Sequence, residues 1–357
     1  MGESQATFRN NFDFLRILFA SFVIISHSYH LLDPLAKDPF SELIAHTDLS
    51  TLGVFGFFVL SGYLIAQSQQ KSASLSGFLK KRFRRIMPGL VVAVSLVVFV
   101  MGPLLSIWHA GAYLGSAKVY VYFLKTIFLL PTDNLLPGVF EKNPLPYING
   151  SLWTLRYEVF CYLSICSFFI FRKQQRLSAT IIFSLLLLLR SLHIQGVLSV
   201  DPSMDGHLGN ILNLSYCFYA GVFLKVGEPW VLKYKKTMLG VSLALLLLSC
   251  LLPLQVARSL FLAVFPFFVL SSGLWYVKVI QVPAKIGDIS YGTYIYAFPV
   301  QQALISAGIR DVNLLICLSL VLSWTAGFLS FHLVERKFLS RYKTNKSKST
   351  AVARTEN

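Results

Sequence analysis

Residues Asn11 to Leu32, NFDFLRILFASFVIISHSYHLL, limit what this chain can become more than any other stretch. The run matches the length of a bilayer-crossing helix, about 20 residues. Yet it carries Arg16 and His27 where lipid tails would lie. An ionisable group inside a membrane helix is costly and faces a protein interior or a wet cavity, so this helix requires others around it. At 100° per residue, the eleven positions from Arg16 to His27 return to within about 20° of one direction and rise about 16 Å. Both side chains therefore belong to one helix face, and a shared polar cavity is expected along it. Taken singly, each has a plainer reading. Arg16 can be an inner-end anchor beside Asp13, and His27 a buried histidine bonded to a neighbouring helix. His30 reads as a solvated end residue.

The rest of the chain supplies such neighbours. Of 357 residues, 55% are hydrophobic and only 13% charged, against about 25% charged in ordinary soluble domains. The expected fold is all-α: a polytopic helical membrane bundle of about ten transmembrane helices. They fall near 11–32, 51–70, 89–107, 150–171, 177–195, 210–226, 237–254, 258–276, 288–307 and 312–334. The apolar piece at 119–131 is too short to cross and contains Lys125, so it reads as interfacial or re-entrant. The N-terminal residues MGESQATFRN do not read as a cleavable signal, because no small-residue cleavage site follows the apolar run. Residues 1–338 are expected to form one membrane domain and 339–357 a disordered, basic cytoplasmic tail.

A formal net charge of +16 raises the question of nucleic acid. The positions of the charges exclude it. With the N-terminus inside, twenty-three of the 32 Lys and Arg fall on inner segments and seven, Arg190 among them, on outer ones. That bias is the positive-inside signature, and it predicts a multi-pass protein of a bacterial inner membrane with both termini cytoplasmic. The five cysteines all lie in expected spans and read as small apolar residues, not as disulfides or metal ligands.

Three further stretches carry chemistry. The second span ends in LSGYLIAQSQQ, where Ser61 and Gly62 would let helices approach closely. Next comes KSASLSGFLKKRFRRIMPG, where Arg82 and Arg85 are helical neighbours and Pro88 marks a helix boundary. Paired guanidinium groups suit a phosphate-rich ligand; the plainer reading is an orientation signal resting on lipid headgroups. The fourth span opens NGSLWTLRYEVFCYL. Its Glu158 lies about 12 Å in from the outer end and His27 about 8 Å in from its own, so the two could meet in depth. A carboxylate beside an imidazole would fix its tautomer and raise its basicity; alternatively Glu158 pairs with a basic group on another helix. In DISYGTYIYAFPVQQ, Tyr291, Tyr294 and Tyr296 read as interface anchors before a kink at Pro299.

Together these blocks resemble the acyltransferase-3 family of integral membrane acyltransferases. The residues are Arg16 and His27 with ten between them, SGYL at 61–64, RFRRIMP at 82–88, SLWTLRYE at 151–158, ISYGTYIYAFPV at 289–300 and HLVERKF at 332–338. The resemblance implies an acyl-CoA donor, usually acetyl-CoA, bound from the cytoplasm, and as acceptor a sugar hydroxyl of a cell-surface or exported glycan. It implies that His27 is catalytic with Arg16 assisting, and that Arg82 and Arg85 lie near the CoA phosphates. Ala297 departs from the pattern, since many members carry a histidine there. The soluble hydrolase-like domain fused to some members has no counterpart, so a second transfer step would need a partner, such as another glycan-assembly protein.

The expectation is thus a membrane O-acyltransferase without a metal, its catalytic set His27, Arg16 and Glu158, its donor set Arg82, Arg85, Ser61 and Gly62. Its partners are a glycan and the lipid bilayer, not nucleic acid. The rival is a transporter of a lipid-linked sugar or organic anion, since intramembrane His, Arg and Glu also mark transport paths.

Overall fold

A computed structural model describes residues 10–42, 47–198 and 201–339, leaving aside the side chain of Pro202. The expected tail therefore lies almost wholly outside the described residues. Among the described residues the regular secondary structure is all helical, apart from one isolated bridge between Ser106 and Val139.

The longer helices are α1 (Phe12–Leu32), α2 (Leu49–Gln70), α3 (Leu75–Leu96), α4 (Ala117–Ile127), α5 (Trp153–Ser164) and α6 (Gln175–Ile194). They continue with α7 (Pro202–Val226), α8 (Glu228–Ser249), α9 (Leu254–Leu274), α10 (Ser290–Ser306) and α11 (Val312–Ser330). Several start where a short polar side chain satisfies an orphan amide of the first turn. Asp48 accepts from Thr51 N before α2, Ser74 from Gly77 N before α3, and Asp311 from Leu314 N before α11.

Among the described residues, six helical stretches are long and apolar enough to cross a membrane: Phe12–Leu32, Leu49–Gln70, Leu75–Leu105, Arg172–Ile194, Leu254–Leu274 and Val312–Leu339. Their outward rows are apolar too. Leu185 and Leu188 of α6 and Val321, Leu322 and Leu329 of α11 are exposed, which fits a surface solvated by lipid. The piece at 117–127 is an eleven-residue helix, about 16 Å long and too short to cross, as its sequence suggested.

The described residues form two compact units, each discontinuous in sequence. One comprises residues up to Phe19, Pro39–Lys71 and Leu163–Lys285; the other comprises Ala20–Asp38, Ser72–Tyr162 and the residues from Ile286 on. In the first, α2 crosses α7 at a reciprocal pair of glycines. A β-carbon on Gly62 would lie 1.9 Å from the Phe218 carbonyl oxygen, and one on Gly221 would lie 2.2 Å from that of Val59. Only residues without side chains let two backbones come this close. The start of α1 docks in the same unit, where Asn11 N donates to Gly273 O (2.8 Å).

The second unit repeats the device. On α10 and α11, a β-carbon on Gly292 would meet Gly327 Cα at 2.8 Å, and one on Gly327 would meet Thr293 Oγ1 at 2.5 Å. Here α3 departs from expectation. Pro88 lies inside it, not at its boundary. The proline removes one amide donor but does not break the helix, because the turns around it are packed: Ile86, Gly89 and Leu90 are buried, and Gly89 leaves the space that the Tyr291 ring fills. Tertiary packing outweighs the local preference.

Candidate active site

The second unit gathers most of the residues singled out from the sequence. Arg82 and Arg85 lie on consecutive turns of one helix, as their spacing required. The Arg85 guanidinium forms a fork between two carboxylates, Asp288 Oδ2 at 2.5 Å and Glu335 Oε2 at 3.1 Å. Asp288 is positioned just before α10, where Ser290 Oγ donates to its other oxygen (2.6 Å). Glu335, only 1% exposed, closes a π-helical turn, Phe331–Glu335, at the end of α11. Such a turn inserts an extra residue into the ladder and re-aims the side chains after it. Ser330 Oγ donates to the second Glu335 oxygen (3.0 Å). The trio ties together α3, the entry to α10 and the end of α11. The fork of Arg85 is engaged by these carboxylates, and Arg82 stands one turn earlier.

Tyr291 and Tyr294 are buried, which corrects their reading as interface anchors. Tyr291 Oη donates to Ile86 O (2.8 Å), and its ring lies under the Arg85 guanidinium at 5.7 Å. Tyr294 Oη donates to Ser151 O (2.8 Å) and meets Thr154 Oγ1. Each hydroxyl finds a partner inside the bundle, so burial costs little. Glu158, on α5, accepts the hydroxyl of Tyr162 one turn along, and it lies close enough to Tyr291 and Tyr294 to act on both electrostatically.

His27 is half-buried on α1. Its ring meets Phe298 edge-to-face, with centroids 5.6 Å apart. Ala297, the position of the family's missing histidine, is buried beside Phe298. The backbone around His27 is clasped by Gln301 of α10, whose amide nitrogen donates to Ile24 O and Ser28 Oγ, each at 2.8 Å. The next residue faces elsewhere. Gln302 donates to Leu145 O (2.6 Å) and Tyr147 O (2.7 Å), and it accepts from Asn143. Asn149 Nδ2 reaches Ile295 O at 2.9 Å. The sequence reading passed over this set. Its one signal was QQ within an apolar helix, because amides in a span must find partners.

α1 is a single unbroken helix, so Arg16 and His27 share a face as their spacing required. Arg16 is half-buried. In the first unit, Gly62 serves the crossing with α7 described above, and Tyr63 of the SGYL stretch donates to Glu228. Lys225 also donates to Glu228. Partial burial pushes the Glu228 carboxyl up, but the bonds from Lys225 and Tyr63 outweigh it and hold it below the usual carboxylate range.

Arg190, near the end of α6, is 1% exposed. Its Nε donates to Asn213 Oδ1 (3.0 Å), and its guanidinium lies 5.1 Å from the Tyr216 ring centroid. Among the described residues no carboxylate pairs with it.

Over residues 9–333 the chain matches the family model described as "Acyltransferase domain", acyltransferase 3. The chain belongs to the acyltransferase-3 family. It is an acyltransferase with membrane-capable helices. It is 28% identical over 355 residues to an O-acetyl transferase of Shigella phage Sf6, covering 93% of this chain and 96% of that one. It is 29% identical over 192 residues to nodulation protein 10 of Rhizobium leguminosarum bv. viciae, half of each chain. No solved structure matches. The blocks that suggested the family lie within the matched region, except HLVERKF, of which only His332 and Leu333 fall inside it.

Proposed function

We propose that this acyltransferase moves an acetyl group from acetyl-CoA to a hydroxyl of a cell-surface or exported glycan. It would sit in a bacterial inner membrane, through about ten spans, with both termini cytoplasmic. The observation that carries the reading is the near-full-length likeness to the phage O-acetyl transferase. The inward excess of Lys and Arg supports the orientation.

His27 is the proposed general base. It takes the proton of the acceptor hydroxyl as the oxygen attacks the thioester carbonyl. The carbon–sulfur bond then breaks, and the CoA thiolate recovers the proton from the imidazolium. The edge of the Phe298 ring and the Gln301 clasp support this role by limiting how His27 can move. Arg16, on the same helix face, is assigned an assisting charge. Glu158 is assigned to orient the base.

For the donor, Arg82 is the proposed phosphate contact. Arg85, gripped by Asp288 and Glu335, fixes the turn that presents Arg82. Gly62 also serves the crossing of α2 with α7.

Membranes carrying the protein, incubated with labelled acetyl-CoA and glycan from a strain lacking the gene, test the reading. Transfer should fall by about 10²-fold or more in His27→Ala at equal protein level. Undiminished transfer in that variant removes His27 from the mechanism. A glycan left unlabelled by the wild-type protein rejects the proposed acceptor.

A further inference from the structure

The second unit holds a cavity of about 780 Å³, within the range of small-ligand sites, about 300–1,000 Å³. It opens between α4 and the loop that follows it. Lys118, Val121, Tyr122 and Lys125 recur at helical spacing, and all four line it. This gives the short helix a purpose: one face of α4 is a wall. The loop adds Asp133 and Glu141, and Trp108, 43% exposed, completes the wall.

The lining is chemically particular. The Lys118 and Lys125 side chains make no hydrogen bond or ion pair with any described residue. Glu141 uses one carboxylate oxygen on the Gly138 amide (2.9 Å). Two ammonium groups and two carboxylates cancel formally. That balance suits a neutral polyol and not a phosphate, for which an arginine-rich, net cationic site would be expected. Sugar hydroxyls donate to carboxylates and accept from ammoniums, and the indole offers an apolar face to ring C–H groups.

The loop wall is held in a costly shape. Leu129, Asn134 and Phe140, the non-glycine residues with positive φ among those described, all lie here, at 56°, 58° and 61°. Conformations of this kind persist only where surroundings over-determine them, and they collect at ligand clamps. The surroundings are visible. Ile107 N donates to Gly138 O, and Ser106 Oγ to Pro137 O, both at 2.9 Å. Further on, Gln302 grips the loop at Leu145 and Tyr147 while its neighbour Gln301 grips α1 on either side of His27. Leu145 also packs on the cluster containing Leu31, one turn past His27.

We propose that this cavity is the acceptor subsite, holding a neutral saccharide segment of the glycan whose hydroxyl is acylated. Only the fate of the sugar rests on the acyl-transfer reading; the binding does not.

The test uses the full-length protein in lipid nanodiscs, titrated calorimetrically with delipidated, unacetylated polysaccharide from a strain lacking the gene. The double variant Trp108→Ala/Asp133→Asn should weaken saccharide binding about tenfold or more, because it removes both the stacking face and a hydrogen-bond acceptor. Its affinity for acetyl-CoA should stay within about twofold. Saccharide affinity unchanged in that variant overturns the proposal, as does no binding to the wild type. Should the double variant fail to fold, Lys125→Met replaces it, with a smaller weakening expected and the same overturning result. Saccharide bound by the wild type without acetyl transfer would leave the subsite standing and reject the acyl-transfer reading. Transfer with an unaltered KM for glycan in the variant would do the reverse.

Discussion

Arg85 and Arg190 are both arginines packed among helices, one in each unit, and they are treated in opposite ways. Arg85 is met by Asp288 and Glu335, with the Tyr291 ring beneath it. Arg190 has an amide oxygen from Asn213 and the ring of Tyr216. The first arrangement compensates a charge with charges. The second compensates it with a dipole and a quadrupole, which are weaker. The difference teaches that the fold builds countercharge around Arg85, whereas it holds Arg190 with neutral groups. Both units still close their tightest crossing in one way, with reciprocal glycines.

Arg85→Ala should give the largest effect. It strands two carboxylates, one of them Glu335 at 1% exposure, and loss of one partner of a buried pair costs about 3–5 kcal/mol. Thermal unfolding in detergent would show it, and a variant that unfolds like the wild type would remove the trio from the account of stability.

A smaller loss is expected from Gly62→Ala, about 1–3 kcal/mol, since the new methyl meets a backbone carbonyl that cannot turn aside. The same unfolding assay checks it. An unaffected variant would show that the crossing of α2 and α7 is looser than 1.9 Å implies.

Arg190→Met should do least. Removing the charge relieves its desolvation and leaves the Asn213 oxygen unsatisfied, opposing terms of about 1–3 kcal/mol that nearly cancel. A melting temperature close to that of the wild type is the expected result. A drop as large as that of Arg85→Ala would break the comparison and make Arg190 a structural charge in its own right.

Much of this was legible beforehand. Apolar runs of membrane length announced the helices, the inward excess of Lys and Arg pointed to an orientation, and an eleven-residue interval placed Arg16 and His27 on one face. These are local or additive properties, and period, length and count suffice for them. The misreadings share a different cause. Pro88 looked like a boundary because its local preference was read without the packing around it. Tyr291 and Tyr294 looked like interface anchors because tyrosines near a span end commonly are, when Ile86 O and Ser151 O accept their hydroxyls inside.

By itself, the sequence determined that this chain is a bundle of helices suited to lipid and belongs to a family of acyltransferases. Tertiary structure alone decided which carboxylates hold Arg85, that two adjacent glutamines clasp α1 and the loop at Leu145 and Tyr147 separately, and that a short helix walls a polar cavity. Those outcomes join residues far apart along the chain: Asp288 lies 203 positions from Arg85, and Gln301 lies 277 from Ile24. No periodicity records such pairings, because they are fixed by which helix faces the fold brings together.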